Sequence, residues 1–374
     1  MSMTPYIGRQ PYFGWHGVYD LDATMHRQNF IGSGSYLFGY SNTASVWAYD
    51  TSIVGANMIK WNGMNKATYG CVPLNTKSLA IDPKGRFLIV CGNASASYYQ
   101  MYETKEFGLP NIATKKKLQT APSSQFNGMA FNAAGTYFSV AGNGATAYVY
   151  AVQSTLDSTW TDVASKTFTG TNPQGVAFSP NGTWWAVTGG KDTSTNEYLK
   201  VYLTSDWSQI AEMTQPAGIG IAVTFSPDSA LCAVAHYTTP YLTVYNTTTS
   251  PWTKLSDVST PPTGNGSGVN FNPAGTYLIV SHATTPFHSI YKVSDWSKIA
   301  SPFSTAPTLA GCSQYSPDGT MLAIGNTTQA GPVYLYDISG ETYTLRSHPT
   351  DFPYQQAISC AWMQLGNNPL SRIA

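Results

Sequence analysis

The chain has 374 residues with 19 basic and 19 acidic side chains and no formal net charge, so charged residues make up 10% of it, against roughly 25% in a typical soluble domain. Apolar residues at 42%, 13% of the chain being aromatic, can fill a large core and exclude a disordered chain, and no run approaches the ~18 apolar residues of a membrane-spanning helix. No basic block exists beyond Lys115, Lys116 and Lys117, so neither nucleic acid nor membrane insertion is expected. Polarity comes instead from Ser, Thr, Asn, Gln and 25 Tyr, a surface more usual outside cells than in the cytosol.

Residues 1–23 read as an extended arm. Met1 to Gly14 holds no apolar stretch of the kind that makes a secretory signal. Tyr6, Ile7, Gly8, Arg9, Gln10, Pro11, Tyr12 and Phe13 carry too few apolar side chains for a core and too many for an idle tail, a pattern suited to docking on a partner in extended form. The stretch Tyr6 to Pro11 resembles the short opening peptides of bacteriophage virion and tail-fibre proteins. That resemblance implies a virion location, synthesis in the host cytoplasm without a signal peptide, and attachment to other virion proteins through the arm.

After the arm the chain repeats. Phe178, Ser179, Pro180, Asn181, Gly182, Thr183, Trp184 returns as Phe225 to Asp228, as Phe271, Asn272, Pro273, Ala274, Gly275, Thr276, Tyr277 and as Tyr315 to Thr320. Weaker copies start at Phe30, Ile81 and Phe131, and the seven anchors are separated by 51, 50, 47, 47, 46 and 44 residues, close to the period of four-stranded propeller blades. In each copy an apolar strand ends at the anchor and enters a tight turn in which Pro fixes φ and Asp, Asn or Gly takes the corner. A second strand follows, apolar on both faces as in Leu88, Ile89, Val90, as a strand sandwiched between neighbouring sheets requires. A third strand ends at Tyr49, Tyr102, Tyr150, Tyr202, Tyr245, Tyr291 or Tyr336. A polar fourth strand is expected to open with tryptophan, as at Trp207 and Trp296.

These turns and aromatic strand ends resemble the WD-repeat propellers over almost the whole chain. The resemblance implies an all-β fold, a seven-bladed β-propeller of four-stranded antiparallel blades over residues 24–366, followed by a tail over 367–374. Tyrosine stands where that family has the tryptophan of its eponymous dipeptide, and the family's glycine-histidine pair is missing, so its buried hydrogen-bond network is not carried over. Ala357 to Trp362 reads as an eighth innermost strand, which would close the ring against the first blade and leave no open edge. Thr24 to Phe30 competes for the same place.

Chemistry-bearing patterns are sparse. Cys71, Cys91, Cys232, Cys312 and Cys360 are odd in number and scattered, giving neither a zinc site nor a disulfide framework. His236 and His282 both fall 11 residues after their anchors, at second-strand ends of adjacent repeats, but the equivalent positions elsewhere offer no strong metal ligand. Asp82, Asp228 and Asp318 occupy the turn slot, where Asp serves the backbone, and Asp206 and Asp295 are read the same way. No nucleophile elbow, zinc-protease helix, phosphate loop or dinucleotide fingerprint is present. The loops between second and third strands remain as a binding face, with Tyr98, Tyr99, Tyr237, His236, His282 and Phe287 as its candidates for a host glycan or surface protein. The sequence therefore reads first as a non-enzymatic virion accessory protein with no metal and no cofactor. The alternative is a propeller hydrolase, lactonase or lyase acting on a sugar or small metabolite around His236 and His282.

Overall fold

The computed structural model describes residues 35–41, 45–50, 78–84, 86–91, 99–103, 117–120, 126–153, 159–195, 197–211, 213–307, 312–325, 333–346 and 357–364. Every regular element among them is a β-strand. The strands group into consecutive sheets, each antiparallel apart from one short parallel addition. The first combines β1 (Ser35–Ser41) and β2 (Ser45–Asp50) with a strand from the far end of the chain, β25 (Ala357–Gln364). The second holds β3 (Ser78–Ile81), β4 (Phe87–Cys91) and β5 (Tyr99–Glu103). The third holds β7 (Phe126–Phe131), β8 (Tyr137–Gly142), β9 (Thr146–Ala151) and β10 (Thr159–Thr167), with β6 (Lys117–Leu118) lying parallel to β10. The fourth holds β11 (Pro173–Phe178), β12 (Trp184–Gly189) and β13 (Leu199–Leu203). The fifth holds β14 (Gly220–Phe225), β15 (Leu231–His236), β16 (Leu242–Asn246) and β17 (Thr253–Lys254). The sixth holds β18 (Gly266–Phe271), β19 (Tyr277–His282) and β20 (His288–Lys292). The last holds β21 (Cys312–Tyr315), β22 (Met321–Gly325), β23 (Val333–Ser339) and β24 (Thr342–Leu345).

The turn tetrads fold as their residues dictate. In the turn from β14 to β15 the Ser226 hydroxyl donates to Asp228 at 2.5 Å, and the Asp228 carboxylate accepts the Ala230 N–H at 3.0 Å. Asp318 repeats this with Ser316 and Thr320. Asn272 and Asn132, which stand at the serine position, instead accept two backbone N–H groups each with their side-chain oxygens. Gly182 sits at φ 75°, a left-handed corner that side chains resist. Asp82 departs from the pattern, for its buried carboxylate takes the backbone N–H of Arg86 and the guanidinium as well, at 2.8 Å.

The cores lie between sheets. Ile89, Phe87 and Met101 of the second sheet pack with Phe138, Val140 and Trp160 of the third. Val149 packs with Trp185, Val201 with Phe225 and Cys232, Leu242 with Leu278, and Ile279 with Leu322, each pair joining one sheet to the next. This is why the second strands are apolar throughout: β4 is buried at every residue, and β12, β15 and β19 at all but their first. Each sheet has too few strands to bury both faces alone, so stacking supplies the stabilisation, about 1.5 to 3 kcal/mol per large apolar side chain.

The first strands follow one another in space. β3 lies beside β7, β7 beside β11, β11 beside β14, β14 beside β18 and β18 beside β21, while β25 lies against both β21 and β3. β25 pairs with β1 in register Leu37 to Trp362, and the Trp362 indole donates to the Gln314 carbonyl of β21 at 3.0 Å. Thr24 to Phe30, the competing segment, lies outside the described residues.

The repeated tyrosine acts as a clamp. Tyr150, Tyr245, Tyr291 and Tyr336 are buried, and their hydroxyls donate to the carbonyls of Thr120, Thr214, Thr260 and Thr305 at 2.7 to 2.9 Å. Each carbonyl belongs to the connection that enters the tyrosine's own sheet from the preceding one. Trp207 and Trp296, expected on outer strands, occupy tight turns at φ 60° and 59° instead, and the strand beyond each shrinks to a single bridge, Tyr202 to Gln209 and Tyr291 to Lys298. Trp207 turns inward, edge-on to Tyr137 and Trp185 of neighbouring strands. The physical reason is that an indole offered this apolar contact buries more surface than an exposed edge would allow.

Candidate functional site

At one end of the sheets the loop between second and third strands is latched to the connection that enters the first strand. Gly190 N donates to Asn172 O at 3.3 Å, Tyr237 N to Ile219 O at 3.1 Å and Ala283 N to Asn265 O at 3.0 Å. Two of these loops are near copies. His236-Tyr237-Thr238-Thr239-Pro240-Tyr241 and His282-Ala283-Thr284-Thr285-Pro286-Phe287 each contain a cis proline followed by an aromatic residue at positive φ. In each, the histidine N–H donates to the aromatic carbonyl, at 3.0 and 2.8 Å.

The same end of the inner strands carries a second repeat. β7, β11, β14 and β18 each shift register one residue after their first paired position, between Phe126 and Gly128, Pro173 and Gly175, Gly220 and Ala222, and Gly266 and Gly268. The extra residues are Asn127, Gln174, Ile221 and Ser267, all half-buried. A β-bulge leaves one residue out of the ladder and re-aims its side chain. Neighbouring bulges abut: a Cβ on Gly128 would lie 2.6 Å from the Gln174 carbonyl oxygen, and one on Gly175 2.8 Å from that of Ile221. Glycine at these two positions is what lets adjacent inner strands approach so closely. Asn127 Nδ2 bonds Asn143 at 2.9 Å and the Pro173 carbonyl at 3.2 Å. The Ser267 hydroxyl oxygen is buried with no partner among the described residues.

His236 and His282 are fully buried, and neither ring opens onto the loop face. His236 Nε2 lies 2.9 Å from Thr243 Oγ1 and His282 Nε2 3.0 Å from Ser289 Oγ, each partner on the third strand of the same sheet. Burial drives both down to about 4, so both are neutral at pH 7. His288, next along β20, is driven down to about 3 by burial and by its neighbour His282. The two candidate histidines thus stand in adjacent sheets, each bonded within its own, and His236 Nδ1 is buried without a partner among the described residues.

Tyr237, by contrast, is 46% exposed beside Ile219 at 40%, two large apolar groups held side by side at the mouth of the inner strands. Phe287 is half-buried behind its proline. Tyr99 belongs to β5 rather than to the loop expected to hold it: its ring stacks on Phe126 and its hydroxyl accepts the Leu118 N–H at 3.1 Å. Tyr98 and the arm residues Tyr6 to Phe13 lie outside the described residues.

Sequence reading missed an ionic cluster in the loop of the fourth sheet. Asp192 is fully buried and accepts Lys200 Nζ at 2.6 Å, Thr169 N at 3.0 Å and Ser194 N at 2.8 Å. Burial alone would raise its carboxyl, but these bonds outweigh it and hold Asp192 well below the usual carboxylate range. Lys200 also lies 4.9 Å from the Phe168 ring centre. Nearby Glu197 is buried, with one oxygen taking Gln209 Nε2 at 2.8 Å and the other unpartnered. The signal was a lysine inside the apolar strand Leu199, Lys200, Val201. Among the described residues no group of three or more His, Cys, Asp or Glu side chains is placed to hold a metal ion.

No family model matches the chain, and no curated protein matches it in sequence. Solved structures do match in fold. A candidate 6-phosphogluconolactonase from Bacteroides uniformis superposes with a TM-score of 0.65 at 14% identity, covering 88% of this chain and 99% of its own. A second, from Bacteroides fragilis, gives 0.61 at 13% identity, covering 88% and 98%. This corrects the expectation of a non-enzymatic virion protein. The proteins that share the fold over nearly their whole length are named as enzymes, whereas the virion reading stood on a dozen residues at the amino terminus.

Proposed function

We propose that the protein is a hydrolase that opens the ring ester of a sugar lactone or a similar small metabolite, on a seven-bladed β-propeller closed by β25. The observation that carries the reading is the agreement in fold over almost the full length of two lactonase candidates. The ring is supported by the cyclic neighbour order of β3, β7, β11, β14, β18, β21 and β25.

Lactone opening needs a group to take a proton from water and donors for the oxyanion that develops on the carbonyl. The looped end of the inner strands carries donors of the second kind. The hydroxyl of Ser267 and the amide of Gln174 can donate, above His236 and His282, which burial keeps neutral at pH 7. In this reading the apolar surface of Ile219 and Tyr237 covers one face of the substrate ring and shields it from water. The test is a panel of sugar and aliphatic lactones, with ring opening followed by NMR against the uncatalysed rate. Catalysed opening of a sugar lactone is the expected result; rates equal to buffer across the panel would overturn the reading.

A further inference from the structure

Four consecutive inner strands carry their bulged residue at the same register position, and the first three bulges abut in sequence order. Two polar groups in this arc are unspent. The Gln174 amide makes no hydrogen bond among the described residues, and the Ser267 hydroxyl oxygen is buried without a partner. A buried hydroxyl left unbonded costs about 1 to 3 kcal/mol, so a fold that keeps one at the rim of its inner ring has a use for it. Asn127, by contrast, is spent as a donor: its amide is anchored to the Pro173 carbonyl and to Asn143. Ile221 breaks the polar series, and it lies two residues from Ile219, whose carbonyl holds Tyr237. The arc therefore has polar flanks and an apolar centre backed by the two exposed apolar side chains. Charge is scarce there, since Lys191 is the one cation in the described loops at this end.

We propose that Gln174, Ile221 and Ser267, with Ile219 and Tyr237, form the binding arc for an uncharged polyhydroxylated ring. Gln174 and Ser267 bond its hydroxyls, and Tyr237 with the two isoleucines covers its apolar face. A phosphate on the ligand gains nothing, because no cluster of cations faces it among the described residues. The substrate class rests on the hydrolase reading, but the arc can be tested apart from it with a ligand that cannot be hydrolysed.

The experiment is calorimetric titration of the full chain with 1,5-anhydro-D-glucitol and its galacto isomer, alongside glucose and glucose 6-phosphate. Saturable binding of at least one neutral ring is expected, with no gain from the phosphate. Gln174→Ala and Ser267→Ala should each weaken it about tenfold, the factor for one directional hydrogen bond, and Tyr237→Ala by a similar factor, none of them lowering the melting temperature and Ser267→Ala raising it. Binding that survives all three substitutions, no binding of any neutral ring, or a clear preference for the phosphate would each overturn the arc. Arc-dependent binding without turnover of any lactone would leave the arc standing and remove the hydrolase reading. Turnover with a KM untouched by the substitutions would do the reverse.

Discussion

Replacing Tyr291 by phenylalanine removes one oxygen and keeps the ring, so it isolates the clamp from the packing. The hydroxyl lost donates 2.9 Å to the Thr260 carbonyl, and the bond joins the third strand of one sheet to the connection arriving from the sheet before. A net hydrogen bond is worth about 0.5 to 1.5 kcal/mol, and an abandoned buried acceptor costs somewhat more. Because Thr260 is itself exposed, water can reach its carbonyl in the variant, which puts the expected loss near 1 kcal/mol. Tyr150, Tyr245 and Tyr336 make the same bond in other sheets, far enough apart to add. The fourfold phenylalanine variant should therefore lose about 4 kcal/mol. Tyr202 is the internal control: it is buried at the equivalent position but makes no such bond among the described residues, so Tyr202→Phe should change stability by less than about 0.5 kcal/mol. Urea unfolding followed by tryptophan fluorescence measures this directly, with the slope unchanged. If Tyr245→Phe and Tyr291→Phe cost no more than Tyr202→Phe, the clamp contributes nothing and the tyrosines are there only as rings.

Three further outcomes follow from the packing and charge described above. Lys200→Met strands the buried Asp192 carboxylate and should cost about 3 to 5 kcal/mol in denaturant unfolding, whereas Asp192→Asn with Lys200→Met should recover most of it. The buried histidines bind protons less readily folded than unfolded, so as pH falls from 6.5 towards 4 the unfolded chain takes up protons that the folded one refuses; stability should drop by on the order of 2 kcal/mol per histidine, and His288→Leu should flatten the fall in melting temperature. Asp192 acts in the opposite sense of charge and only lower, losing its contribution as pH drops below the ordinary carboxylate range. Removing residues 357–374 strips β1 of the partner it pairs with over Ser35 to Ser41, and light scattering should then report aggregation through the exposed edge.

The strands and turns were legible because each rests on short-range chemistry. Phe225 to Asp228 or Tyr315 to Thr320 states its own turn, and burial on both faces follows from runs such as Leu278, Ile279, Val280. The tyrosines were visible as a repeat, but their bonds were not, since each acceptor sits 30 or 31 residues away on a stretch with no pattern of its own. The bulges at Asn127, Gln174, Ile221 and Ser267 were hidden for a stronger reason: a bulge is a property of two strands in register, and one strand read alone does not contain it. Trp207 and Trp296 were placed on outer strands by their position in the repeat, and at the first of them tertiary contact with Tyr137 and Trp185 draws the indole inward instead. Asp192 and Lys200 drew no notice, although a lysine between Leu199 and Val201 marks a charge that burial obliges to find a partner. The function was misjudged because the arm gave the only resemblance with a biological setting, and a fold supports many functions.

The most direct measurement is the initial rate of acid release from D-glucono-1,5-lactone in a pH-stat, comparing wild type with the Gln174→Ala, Ser267→Ala double variant at matched folding. The account expects saturable opening well above the water rate in the wild type, with a KM raised on the order of tenfold or more in the double variant. A wild-type rate equal to that of buffer alone would contradict it.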